Sequence, residues 1–141
     1  MAAKEVGGDH FDYCFVGADT RLFGVNIFDV SGKGMQAAMS AVFTSGAFVS
    51  EASRSVSPAE ILTRLNASVY RYSQRGHFVA LLFTVLDLNR KTATFSNAGQ
   101  MKPLLRTGTE ALWLDSIGVT FPLGMTESTK YEERAVELRS G

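Results

Sequence analysis

Two aspartates set among glycines carry the most chemical potential in this sequence. Asp9 lies in Val6-Gly7-Gly8-Asp9-His10-Phe11-Asp12, and Asp29 in Phe28-Asp29-Val30-Ser31-Gly32-Lys33-Gly34. Between them, residues 11–17 and 21–29 are apolar runs joined by Gly17-Ala18-Asp19-Thr20, a pattern that predicts a β-hairpin. Asp9 precedes the first strand and Asp29 closes the second, so an antiparallel hairpin makes them neighbours. Two adjacent carboxylates repel each other and call for a positive partner. A hard divalent cation such as Mg²⁺ or Mn²⁺ prefers such oxygen ligands. The surrounding glycines let backbone carbonyls and water approach an ion. Turn capping by the two acids accounts for the same spacing, and spacing alone does not choose.

Other chemistries fit less well. Gly7-Gly8-Asp9-His10-Phe11 is close to the Gly-Gly-Asp-Glu-Phe turn of diguanylate cyclases. That turn needs a strand and helix scaffold ahead of it, and only six residues precede Gly7. It also needs an acid where His10 stands. Ser31-Gly32-Lys33-Gly34 contains Gly-Lys, but no glycine stands at the place of the first Walker glycine, and Gly34 replaces the magnesium-binding hydroxyl. No Ser-His or Cys-His pair suggests a protein nucleophile. Cys14, in an apolar strand, reads as a buried structural thiol. His10 and His77 read as structural, with His10 near enough to Asp9 to serve as a metal-shell or proton-transfer group. Lys33 suits either phosphate attraction or plain solvation. Asp12 reads as support for the turn or the water shell, Trp113 as packing, and Met35 and Met39 as core.

The elements that must position the acids follow from periodicity. Met35 to Ala52 is rich in Ala, Met, Phe and Val without proline, which predicts a well-buried helix. Ser57-Pro58-Ala59-Glu60 is a capping-box pattern opening a second helix, with Ile61, Leu62, Leu65, Val69 and Tyr72 at helical spacing and Gly76 as its C-cap. Phe78–Asp87 reads as a long buried strand that turns at Asn89-Arg90-Lys91 into a strand over Thr92–Ala98. Residues 103–106 and 110–114 form a further hairpin, 115–129 a loop, and Tyr131–Leu138 a last strand. The order β-β-α-α-β-β-β-β-β implies antiparallel sheets with helices on a face, an α+β class, rather than a Rossmann wind.

Composition bounds the rest. A chain of 141 residues with 45% hydrophobic and 20% charged residues builds one globular domain. The 14 basic and 14 acidic side chains cancel, which argues against nucleic acid and anionic membrane surfaces as partners. No apolar run reaches the roughly 18 residues of a membrane span. One cysteine cannot form an internal disulfide, so a reducing, cytoplasmic setting is expected.

Taken together, these motifs resemble the PPM/PP2C-type serine phosphatases of the bacterial SpoIIE/RsbU-like branch. The resemblance rests on the two aspartate motifs, then Ser57-Pro58-Ala59-Glu60-Ile61-Leu62 with Leu65-Asn66, Phe78-Val79-Ala80-Leu81-Leu82-Phe83, Ser96-Asn97-Ala98-Gly99 and Phe121-Pro122-Leu123-Gly124. It spans nearly the whole chain, in order. It implies an α/β/β/α sandwich of two antiparallel sheets flanked by helices, with residues 1–141 as a single domain. It implies metal-dependent hydrolysis of phosphoserine or phosphothreonine in a protein, an anti-sigma-factor antagonist being the expected substrate. Asp9 would match the first metal ligand, Asp29 the catalytic acid bridging two Mn²⁺ or Mg²⁺ ions, and the Val30 carbonyl a backbone ligand. The family's later Thr/Ser-Asp-Gly motif and further acid do not occur here, so the expectation is a domain truncated at its C-terminus. Gln100 stands where the family has histidine, and Phe28 where glycine is commoner. The rival reading is a non-catalytic interaction or dimerisation module of the same fold, with a possible homodimer.

Overall fold

In a computed structural model, residues 8–17, 19–72 and 76–139 are described. Residues 1–7, Ala18, residues 73–75 and the last two residues lie outside them. Nine elements follow the expected order: β1 (His10–Val16), β2 (Asp19–Val30), α1 (Gly34–Ala52), α2 (Pro58–Tyr72), β3 (Val79–Asp87), β4 (Thr92–Ala98), β5 (Leu104–Thr107), β6 (Glu110–Trp113) and β7 (Arg134–Glu137). Five strands make one antiparallel sheet in the order β1-β2-β3-β4-β7, and β5 and β6 make a separate antiparallel pair. The chain is thus α+β, with two helices and two antiparallel sheets.

Alternation of side chains decides where the core sits. Phe28, Leu81 and Ala98 lie in one cross-strand row and are all buried. Both helices cover this face, burying Ala37, Phe48, Ile61, Leu62, Leu65 and Val69 against it. Phe48 of α1 meets Phe83 of β3 edge to face, with ring centroids 4.8 Å apart. Residues of opposite parity on the β1–β2 hairpin (Phe11, Tyr13, Phe15, Val25 and Ile27) are exposed on the other face.

Three packing expectations are corrected here. The helix α1 is buried on one side only: Met35, Met39, Val42 and Val49 are exposed, so the two methionines are not core. An apolar helix resting on a sheet buries one stripe, and composition does not say that a second stripe finds cover. Trp113 is likewise exposed, because its hairpin stands apart from the large sheet. The last strand is shorter than expected. Tyr131 forms an isolated bridge with Gly118, and only Arg134–Glu137 pair with β4.

Candidate metal-binding site

The hairpin β1–β2 brings the two aspartates together. His10 is paired with Phe28, so Asp9 and Asp29 flank the same end of the ladder. Their carboxyls lie within interaction range of each other, and the Asp29 carboxyl is held above its ordinary range, first by desolvation, then by the charge and close approach of Asp9. Both residues are exposed at the sheet end. Val30 is buried, and its N–H donates to the Gly8 carbonyl at 3.3 Å.

Gly8 lets this approach happen. A Cβ at residue 8 would lie 2.6 Å from the Val30 carbonyl oxygen, which no side chain tolerates against backbone. The Val30 carbonyl therefore sits against the residue next to Asp9. The cluster offers oxygen donors only: two neighbouring carboxylates and one carbonyl beside them. A proton shared by the acids satisfies it, and a hard divalent cation satisfies it equally well. Among the described residues no group of three or more His, Cys, Asp or Glu side chains forms a fuller ligand set.

A loop of fixed shape follows Val30. The Ser31 N–H donates to the Phe78 carbonyl at 2.9 Å, and the Ser31 hydroxyl accepts from the Phe78 N–H at 2.9 Å. His77 Nδ1 lies 3.3 Å from the Ser31 carbonyl. Gly32 has φ of 104°, a left-handed conformation suited to glycine, and His77 packs against it. The loop is thereby pinned to the start of β3 before α1 begins. Lys33 is the N-cap of α1, exposed and making no side-chain cap bond. On the other side, Ala80 faces Asp29 across the β2–β3 ladder. Gln100 donates from Nε2 to the Ala80 carbonyl at 3.4 Å. Asn97 holds Gln100 in place, accepting from its N–H at 2.8 Å and donating to its carbonyl at 3.0 Å.

Asp9, Asp29 and Val30 thus converge, while Asp12 does not join them; its carboxylate accepts from the Tyr13 N–H at 2.8 Å. His10 stacks on Phe28, ring centroids 4.7 Å apart, with Nε2 buried and unpaired among the described residues. Cys14 is half-buried, and burial followed by the charge of Asp12 raises its thiol above the usual range. The supporting roles of His77 and Gln100 escaped sequence reasoning. Each depends on a contact made in the fold, and the sequence signalled only that Gln100 departs from a motif.

The chain is similar to several known proteins. The phosphoserine phosphatases RsbP and RsbU of Bacillus subtilis (strain 168) are 23% and 22% identical to the chain, over 96% and 100% of it. The chain spans 34% and 41% of their respective lengths. Among solved structures, the RsbU and RsbW domains of a Mycobacterium tuberculosis protein superpose with a TM-score of 0.82 at 23% identity, over 96% of this chain and 37% of that one. The PP2C phosphatase domain of SpoIIE from Bacillus subtilis, with a fragment of its regulatory domain, gives 0.79 at 17% identity, over 96% and 39%. These structural likenesses establish the fold. The Stage II sporulation protein E model matches residues 19–141, from the start of β2 onward, and the chain belongs to that SpoIIE family.

Proposed function

We propose that residues 1–141 form one PP2C-like domain of a metal-dependent protein serine/threonine phosphatase in bacterial signalling. The observation that carries this reading is the close approach of the Asp9 and Asp29 carboxyls in a chain of the SpoIIE family. Asp9, Asp29 and the Val30 carbonyl would hold Mn²⁺ or Mg²⁺, two ions in the complete site. Bound there, the metal supplies Lewis acidity and an activated water near neutral pH. Asp29 would be the catalytic acid of the set. Gly8 keeps the Val30 carbonyl free of steric cover, and the Ser31–Phe78 bonds fix the loop that presents it. Lys33 and the open N-terminus of α1 offer positive potential beside the site for a phosphoryl group.

The proposed substrate is a phosphorylated protein, an anti-sigma-factor antagonist being the class that the resemblance in sequence implies. A cytoplasmic location accords with that partner; no helix among the described residues is long and apolar enough to cross a membrane.

Calorimetric titration with Mn²⁺, with Asp9→Asn and Asp29→Asn beside the unaltered chain, tests the site. Saturable binding lost in both variants is expected. Binding that survives both substitutions places the ion elsewhere and removes the basis for this reading. Asp29→Asn is expected to abolish any Mn²⁺-dependent release of phosphate from a phosphoserine protein. Unchanged release would favour the non-catalytic module.

A further inference from the structure

A polar recess lies at the opposite end of the large sheet from the aspartates. Asp29 faces Ala80 across the β2–β3 ladder, whereas Leu22 faces Asp87 at the far end of β3. At roughly 3.3 Å per residue, the span from Ala80 to Asp87 sets the two ends about 23 Å apart. The recess is lined by the α1–α2 connector, the β3–β4 turn and the residue before β7, and holds about 450 Å³, a volume typical of small-molecule sites. Leu22, Val56 and Val85 give it apolar walls. Thr94 stands opposite Val85 and Thr92 opposite Asp87, so all four side chains lie on one face of the sheet.

The acids of the recess are already engaged, but only in part. Glu133 accepts from the Ser57 hydroxyl and the Ala59 N–H, both through Oε2. Asp87 accepts from the N–H groups of Asn89 and Arg90 at 3.0 and 2.9 Å, both through Oδ1. Each carboxylate is thus fixed by one oxygen and keeps the other as an acceptor. Arg90 is the complementary case. Its Nε lies 3.7 Å from Asp87 Oδ2, too far for a hydrogen bond, so its guanidinium keeps its donors. Arg21 lines the same recess and adds positive charge. The Thr92 and Thr94 hydroxyls make no hydrogen bond among the described residues and can donate or accept.

We propose that this recess binds a small hydroxylated anion, of the kind of a sugar phosphate or a sugar acid. The anionic group docks on the Arg90 fork, which matches a phosphate or a carboxylate with two parallel hydrogen bonds. The ligand's hydroxyls donate to Asp87 Oδ2 and Glu133 Oε1 and pair with Thr92 and Thr94. Its carbon frame rests on Leu22, Val56 and Val85. A bare ion would use the guanidinium and leave the acceptors idle. A neutral sugar would leave the guanidinium without its anion. The recess therefore favours a molecule that carries both groups. Metal at Asp9 and Asp29 plays no part, so the site goes beyond the phosphatase reading and is tested independently of it.

Calorimetric titration of the metal-free chain with glucose 6-phosphate, gluconate, inorganic phosphate and glucose tests the site. Saturable binding of at least one hydroxylated anion is expected, about tenfold or more tighter than inorganic phosphate or glucose. Preference for glucose 6-phosphate assigns a phosphate monoester, and preference for gluconate a carboxylate. Arg90→Gln is expected to weaken binding about tenfold, and Thr94→Val about fivefold, with the melting of the ligand-free proteins unchanged. On addition of the tighter probe, amide shifts in NMR spectra should gather at Ser57 and at residues 89–94. The proposal is overturned if neither hydroxylated anion binds, or if inorganic phosphate binds as tightly as either. It is overturned equally if Arg90→Gln and Thr94→Val both bind undiminished. Shifts that gather at residues 29–34 instead would place the anion at the start of α1 and overturn it too. If Thr94→Val does not fold, Arg90→Gln and the map of shifts decide.

Discussion

Asp29 shows how a single residue can be a liability until it is used. In the folded chain its carboxyl titrates above its ordinary value, because desolvation and Asp9 both oppose its charge. Folding therefore favours the protonated form. The associated stability is fully present below the ordinary carboxyl range and is lost as pH rises through the raised value. The metal-free chain is expected to melt at a lower temperature above that value than below it. Exposure at the strand end keeps the effect under about 1 kcal/mol. Asp29→Asn should flatten the dependence and leave the metal-free protein slightly more stable at neutral pH. Calorimetric melting across a pH series measures both, and an unchanged pH profile in Asp29→Asn would show that the pair is not electrostatically coupled.

At the scale of elements, the start of α2 is held differently from its sequence pattern. Ser57 does cap the helix, its hydroxyl accepting from the Glu60 N–H at 3.2 Å. Glu60, which in a capping box reaches back to the cap residue, instead accepts from Ser55 and pairs with Arg64. The second cap comes from far along the chain: Glu133 accepts from the Ser57 hydroxyl at 2.6 Å and from the Ala59 N–H at 3.0 Å. A carboxylate there also suits the positive end of the helix. Glu133→Ala is expected to cost about 1 kcal/mol of unfolding free energy, measured by urea denaturation. Glu60→Ala should cost less, since its partners are exposed. The reverse ranking would restore the sequence-local cap.

At the scale of the whole molecule, one buried side chain ties the second helix to the long loop before β7. Asn66, fully buried, donates to the carbonyls of Thr126 and Glu127 at 2.9 and 3.1 Å and accepts from the Gly124 N–H at 2.9 Å. Tyr131 adds a bond from its hydroxyl to the Phe121 carbonyl at 2.8 Å, and burial pushes its phenol well above the usual range. The loop then meets the sheet through the bridge between Val79 and Leu123. Replacing Asn66 with Leu leaves three backbone groups without that partner, so a loss of about 2–3 kcal/mol is expected. Hydrogen exchange should quicken at Gly124 while β3 stays protected. Exchange that rises evenly over the whole sheet would mean that Asn66 holds the core rather than the loop.

The sequence by itself determined the order and type of the elements, because alternation and helical periodicity are local properties of the chain. It also determined that Asp9 and Asp29 would meet, since a short hairpin leaves its two ends no other arrangement. It marked Asn66 within a recognisable motif, though not what that side chain holds. Tertiary structure alone decided which apolar stripe of α1 is covered, because both stripes are equally apolar and only the sheet selects one. It alone decided that Glu133 caps α2, that Gln100 reaches Ala80 beside Asp29, and that β1 ends the sheet among the described residues. Each of these joins residues distant in sequence, whose proximity follows from strand order and register.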